Sequence, residues 1–313
     1  MNRSPLDYLI LALKGMAMGA ADVVPGVSGG TIAFISGIYE ELIATLNKIN
    51  FSLLKQLKNE GLKSTWKTAN GSFLLALLSG VVVSVISLAK GVEWLLEHHP
   101  ILLWSFFFGL VFASIIYVGK QIKIAPTDFK LFLGMTLGAV VAYLITTLNP
   151  GETSGANTFL FFAGALAICA MILPGISGAF ILVIIGAYGP VLEALNSRDF
   201  KTILIIGAGA VVGLLSFSKL LKWLFENYNR LTLAVITGFM IGSLNKIWPW
   251  KVALTFRTNS KGIKIPLNEK SISPFNVDGD PQLLQAVGLM VFGVIIILLL
   301  EKISTKKKFI ETS

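Results

Sequence analysis

One costly stretch is written twice in this sequence. Pro25-Gly26-Val27-Ser28-Gly29-Gly30-Thr31 returns 149 positions later as Pro174-Gly175-Ile176-Ser177-Gly178-Ala179-Phe180. The ungapped match continues through Gly37/Gly186, Tyr39/Tyr188, Leu46/Leu195 and Asn47/Asn196, and from Pro25 to Asn47 10 of 23 positions are identical. Both copies lie in apolar sequence. Proline removes a backbone donor and glycine loosens the helix, while lipid offers no water to satisfy the freed groups. Such a break is tolerated at membrane depth only where it is buried in protein or lines a cavity. Its recurrence in both halves of a chain points to a transport site.

Composition supports that setting. Mean hydropathy is +0.77, 54% of the 313 residues are hydrophobic and 14% are charged, against about 25% charged in soluble domains. The fold class expected is an all-α polytopic membrane protein. A single cysteine, Cys169, excludes a disulfide framework or thiolate metal site. Two adjacent histidines, His98 and His99, cannot build a metal cluster, so no metal and no cofactor are expected. The net charge of +9 lies between apolar segments. It is read as membrane orientation and contact with anionic lipids, not as nucleic-acid binding.

Each half holds the same succession of segments. Segment A ends at the Pro-Gly break near residue 22, and its counterpart A′ spans Thr158 to Leu173, with Gly15 matching Gly164. That echo argues against a cleaved signal peptide, as does Lys14 inside the apolar run. Each A segment has about 15 residues, roughly 23 Å of helix and short of the ~30 Å hydrocarbon core. Helix B (Val27 to Asn47) or B′ (Ile176 to Asn196) follows, predicting a re-entrant hairpin; two tilted full spans are the plainer alternative. Three longer segments come next: C, D and E at 73–96, 101–118 and 129–148, then C′, D′ and E′ at 203–225, 231–247 and 283–300. C–D and C′–D′ align at an offset of 129 through Gly80/Gly209, Lys90/Lys219, Trp94/Trp223, Glu97/Glu226 and Gly109/Gly238. Lys48 to Gly71 is a longer B–C linker in the first half. E and E′ match only as apolar spans.

An odd number of crossings per half forces the second half to enter from the opposite face. The expectation is two inverted-topology repeats, 1–148 and 149–313, in one integral-membrane domain. With both termini in the cytoplasm, 17 of the 26 lysines and arginines fall inside, as the positive-inside rule prefers. The oligomeric state, a homo-oligomer included, is left open.

The breaks suggest a chemistry. Successive uncovered N–H groups at a helix start, backed by its dipole, favour an anion. Substrate-binding candidates are Pro25, Gly26, Ser28, Gly29, Gly30, Thr31, Pro174, Gly175, Ser177 and Gly178, and the implied ligand carries a phosphate or similar oxyanion. The bland alternative is that these small residues only let helices kink and pack closely. Asp22, opposite Met171 in the other half, is an intramembrane carboxylate and so a functional candidate. It is read as a proton-coupling candidate together with Lys14 on a similar helix face; a structural ion pair of the two, or a helix end at the headgroups, is the plainer alternative. Glu40 and Glu41 mark a helix end, the Lys–Trp–Glu sets anchor at the interface, and Phe106 to Phe108 face lipid. No acid pair stands at catalytic spacing inside a span and no phosphatase-like Arg/His/Asp set is visible, so an enzyme is not expected.

At these residues the chain resembles the bacterial polyprenyl-phosphate (undecaprenyl-phosphate) translocases, formerly a domain of unknown function. The resemblance is carried by Ala21-Asp22-Val23-Val24-Pro25-Gly26-Val27-Ser28-Gly29-Gly30-Thr31 with Gly37-Ile38-Tyr39-Glu40. Leu173-Pro174-Gly175-Ile176-Ser177-Gly178 with Gly186-Ala187-Tyr188-Gly189 repeats it. It covers nearly the whole chain, departing at Ala179 and Phe180, where the first copy has Gly30 and Thr31. The family implies a flippase that returns a lipid-linked phosphate carrier from the outer to the inner leaflet of the cytoplasmic membrane, for cell-wall biogenesis. A bare phosphate cannot cross hydrocarbon, whereas the prenyl tail can stay in lipid. Two other classes remain open: a small-anion channel or transporter, and an integral-membrane prenyl-pyrophosphate phosphatase.

Overall fold

A computed structural model describes residues 3–23, 27–122, 128–148, 156–258 and 264–311. Pro25 and Gly26 of the first break lie outside the described residues, as does most of the loop at 149–157.

Helix α1 (Pro5–Val23) starts where Ser4 and Asp7 cap each other, Ser4 N donating to Asp7 Oδ2 and Asp7 N to Ser4 Oγ. After the break, segment B is two pieces, α2 (Gly29–Ile35) and α3 (Tyr39–Lys48). The corner is Gly37, at φ +74°. Segment B′ repeats this as α10 (Gly178–Ile184) and α11 (Tyr188–Asn196), cornered by Gly186 at φ +76° and bent by 112°. Only glycine adopts that left-handed backbone without strain.

The remaining elements differ from expectation in three places. The B–C linker is itself helical, α4 (Phe51–Thr68), capped by Asn50 and broken at Gly61. Segment C is α5 (Gly71–Ser87) plus α6 (Ala89–His98), followed by α7 (Pro100–Ile122), α8 (Phe129–Thr147) and α9 (Asn157–Ile172). C′ and D′ join into one long element, α12 (Phe200–Ser243), broken only at Tyr228. There Thr232 Oγ1 donates toward the carbonyls of Leu224 and Tyr228, satisfying acceptors that the break frees. The fold is mostly helical, as expected of an all-α membrane protein, with one strand pair added among the described residues. The polar loop before α13 (Leu283–Glu311) contains an antiparallel hairpin, β1 (Lys251–Thr258) with β2 (Lys264–Ser271), Lys251 opposite Ser271. The alternation Lys-Val-Ala-Leu-Thr-Phe was the available strand signal.

Among the described residues three helices are long and apolar enough to cross a membrane: Pro100–Lys120, Phe129–Thr147 and Phe200–Ser243. Asn157–Ile172 and Leu283–Leu299 are shorter apolar helices.

The helices meet through glycine, and the meetings recur. A methyl on Gly15 would strike the carbonyl of Leu77, and one on Gly80 the carbonyl of Ala12, so α1 and α5 touch backbone to backbone. Their counterparts do the same: Gly164 lies against Ile206 O and Gly209 against Phe161 O, joining α9 to α12. A second pair of contacts is exchanged between halves. Gly109 and Gly293 join α7 to α13 through Met290 O and Phe106 O, while Gly238 and Gly138 join α12 to α8 through Met135 O and Val235 O. Segment D therefore packs on E′ and D′ on E. Without an apolar driving force between helices in lipid, such close approach is what favours their association.

Phe107 is buried in the core with Trp104, Val111 and Met240, while Phe106 packs on Phe292 and Phe108 on Trp248. The Phe triplet is therefore core packing and not a lipid face. Trp94 and Trp223 are about half exposed, as interface anchors would be.

Candidate functional site

Helix α2 folds back along α1, held at both ends by Asp22 and Lys14 of that helix. Asp22 Oδ1 accepts from Gly29 N at 2.6 Å at the start of α2, and Lys14 Nζ donates to Ser36 O at 2.6 Å at its end. A carboxylate at the N-terminus and an ammonium at the C-terminus both suit the helix dipole. Asp22 and Lys14 thus serve opposite ends of α2.

The two broken helices interlock. Ser28 Oγ donates to Met171 O at 2.8 Å, taking one of the last carbonyls of α9. Thr31 Oγ1 accepts from Gly175 N at 2.9 Å, inside the second break. Gly30 lies so close to the end of α9 that a methyl would overlap the carbonyl of Ile172. Gly175 has φ +93°, and a methyl there would sit 2.9 Å from Ser243 Oγ and 3.0 Å from Phe239 O. Ser28 and Thr31 are each 1% exposed, and Pro174, Gly175, Ser177 and Gly178 are buried. Of the ten candidate residues Thr31 and Gly175 meet across the two copies, Ser28 and Gly30 contact the end of α9, Gly29, Pro174, Ser177 and Gly178 are buried next to them in sequence, and Pro25 and Gly26 are outside the described chain.

The first copy, however, does not present a bare set of donors. Gly29 N goes to Asp22, Gly30 N to Ser28 Oγ at 3.0 Å and Thr31 N to Ser28 O at 2.9 Å. Asp22 stands where an anionic ligand was expected. The copies differ here, because Ser177 makes no side-chain cap at α10 whereas Ser28 caps α2. Thr31, whose hydroxyl joins the copies, is replaced by Phe180 in the second.

Sequence reasoning missed a cluster beside the second copy. Lys246, one turn beyond Ser243, places Nζ 4.6 Å from the Phe180 ring centroid. Lys251 Nζ lies 3.7 Å from the Trp104 ring centroid and donates to Lys246 O at 3.0 Å. Both ammonium groups approach the same oxygen, Glu269 Oε2, at 3.4 and 3.3 Å. Burial pushes the Lys251 ammonium down to about 8, aided by Lys246 and opposed by Glu269. The available signal was the crowding of Lys246, Trp248, Trp250 and Lys251 in a loop counted only for its charge.

Beside Leu173 an apolar cavity of about 510 Å³ opens along α12, walled by Leu221, Tyr228, Leu231, Val235 and Phe239. Among the described residues no three histidines, cysteines or acids come together to hold a metal.

Apolar helices, bent helix pairs and two half-helix breaks in mutual contact define a multi-pass helical membrane protein. The chain belongs to the family described as VCA0040-like, undecaprenyl phosphate translocase-like, which matches residues 18–265. It is 48% identical over 305 residues to a polyprenyl-phosphate transporter of Vibrio cholerae serotype O1, covering 96% of this chain and 98% of that one. It is 34% identical over 254 residues to a polyprenyl-phosphate transporter of Staphylococcus aureus, covering 76% and 85% respectively. No solved structure matches.

Proposed function

We propose that this chain carries polyprenyl phosphate from the outer to the inner leaflet of the bacterial cytoplasmic membrane, with its headgroup passing the joined breaks. The observation that carries this is the interlock itself: Ser28 to Met171 O and Gly175 N to Thr31. Two buried breaks that satisfy one another form a polar seam inside an apolar protein, as a phosphate needs when its tail remains among lipids. The relatives' names supply the lipid.

The halves 1–148 and 149–313 are inverted repeats about an axis in the membrane plane, with both termini cytoplasmic. The recurring glycine contacts support the repeat, including the exchange of E and E′ between halves. The donors that change hands are Gly29 N–H and Gly175 N–H, now held by Asp22 and Thr31, with the hydroxyls of Ser28, Thr31 and Ser177 beside them. Pro174, which has no N–H of its own, keeps the second break from closing into helix. Asp22 is the internal competitor: the headgroup gains Gly29 N–H only when the carboxylate lets go, and protonation of Asp22 releases it. Lys14 holds the far end of α2 while the near end exchanges partners. The cavity beside Leu173 receives the first isoprene units. No step makes or breaks a covalent bond, so the chain is a carrier and not an enzyme.

The test is depletion in a bacterial host followed by surface labelling of outward-facing undecaprenyl phosphate. The pool should grow on depletion and shrink when the wild-type chain is restored. An unchanged pool, with no other carrier present, would overturn the proposal.

A further inference from the structure

The Lys246–Lys251–Glu269 cluster has no place in the interlock, yet it touches it. Ser243 lies against Gly175, Lys246 follows one helical turn later, and its ammonium sits over Phe180, two residues into α10 from Gly178. The side chains of Lys246, Lys251 and Glu269 are 12%, 6% and 20% exposed. Two ammonium groups therefore share one carboxylate in a mostly buried place, leaving one unit of positive charge without an opposite partner among the three. Buried charge is tolerated where it is paired, and an excess of one sign invites a counter-ion.

The geometry also shows how weakly Glu269 fills that role. A charge-assisted N–H···O bond is about 2.7–2.9 Å long, and both contacts here are longer, at 3.3 and 3.4 Å to a single oxygen. The faces of Trp104 and Phe180 stabilise the ammonium groups without using up an acceptor. A phosphate has oxygens enough to meet both at full strength. The cluster is more than is needed to fasten the hairpin. Trp248 Nε1 already bonds Ile272 O, Trp250 Nε1 bonds Pro281 O, and Ser271 Oγ bonds Asn245. A fastening through Glu269 would use one lysine.

We propose that Lys246 and Lys251 form a phosphomonoester-docking site at the rim of the second break, with Glu269 as a built-in counter-ion that the phosphate displaces. This deepens, and rests on, the assignment of the chain as a polyprenyl-phosphate carrier. The headgroup meets the lysines first and is passed to the seam one helical turn away. Phe180 stands between them, at the position where the first copy has Thr31. That difference makes the two faces of the seam chemically unequal, so arrival and departure need not be mirror images.

The test uses the full chain in lipid nanodiscs at pH 7. Trp104, beside Lys251, gives a fluorescence signal, and the probes are dimethylallyl phosphate and inorganic phosphate. Lys246→Gln and Lys251→Gln should each weaken binding at least tenfold. Glu269→Gln should strengthen it severalfold, because the competing carboxylate is gone. The opposite signs protect the test from simple unfolding. A Glu269→Gln variant that binds more weakly, or lysine variants that bind as wild type, would show a structural staple and overturn the proposal. Preference for the prenyl phosphate assigns the site to a lipid headgroup, and equal binding assigns it to free phosphate. Flipping in vesicles separates the two claims. Lysine-dependent phosphate binding without polyprenyl-phosphate transport would retain this site and defeat the carrier reading. Wild-type transport by Lys246→Gln/Lys251→Gln would do the reverse.

Discussion

Asp22 is where this protein's asymmetry is sharpest. Its counterpart is Met171, so one broken helix begins against a carboxylate and the other does not. A symmetric pair of sites would bind an anion equally from either side and set no direction. Net movement needs a coupled energy source, and one charge crossing 100 mV supplies about 2.3 kcal/mol. On the proposed reading Asp22 couples, because loading or unloading one proton changes whether Gly29 N–H is offered to a ligand. Asp22→Asn keeps an oxygen for that N–H but cannot exchange a proton. The variant should bind substrate and lose the dependence of its uptake on a pH gradient, measured in vesicles with imposed gradients. Wild-type response in the Asn variant would make Asp22 a helix cap only.

At the scale of the element, the two corners and the hairpin carry separate expectations. Gly37 and Gly186 have nearly equal positive φ, but Gly37 is exposed, with open space around a would-be Cβ, whereas Gly186 is buried. Alanine at either should cost about 1–2 kcal/mol of backbone strain, and the thermal shift at buried Gly186 should be at least as large as that at Gly37. A large loss at one and none at the other would show that the corners are not equivalent. For the hairpin, Lys251 gives a pH signature. Its ammonium loses the proton near pH 8 in the folded protein and near 10.5 in the unfolded chain. The unfolded state therefore binds more protons between those values, and stability rises with pH there. The cost of burying the charge is fully present below pH 8 and relieved above it. Lys251→Met should be more stable than wild type at pH 7 and lose that advantage by pH 10, as read by thermal unfolding. A constant difference would mean that Lys251 titrates like an exposed lysine.

Across the whole molecule, the doubled Pro-Gly motif was legible because identities such as Ser28/Ser177 and Gly37/Gly186 sit at one offset. What joins the copies was not. Ser28 to Met171 O and Thr31 to Gly175 N are bonds between segments more than 140 residues apart, and one of the partners is a carbonyl that any residue would offer. The relation of E to E′ was hidden for a similar reason. Met135/Met290 and Gly138/Gly293 are too few to fix a register, and only the backbone contacts of the exchanged helices reveal it. Lys246 and Lys251 were visible as charge in a polar loop, but their burial depends on Trp104 and Phe180, which arrive from distant helices.

The central claim is that a phosphate headgroup crosses at the seam between the breaks. The most direct measurement is leaflet exchange of a labelled polyprenyl phosphate in sealed vesicles containing purified wild-type chain or Thr31→Val, which keeps the side chain's shape and removes one of the two hydroxyls that join the copies. Exchange should be well above that of protein-free vesicles for the wild type and at least tenfold slower for Thr31→Val at equal folded protein. Wild-type exchange no faster than bare lipid, or unchanged exchange in Thr31→Val, would contradict it.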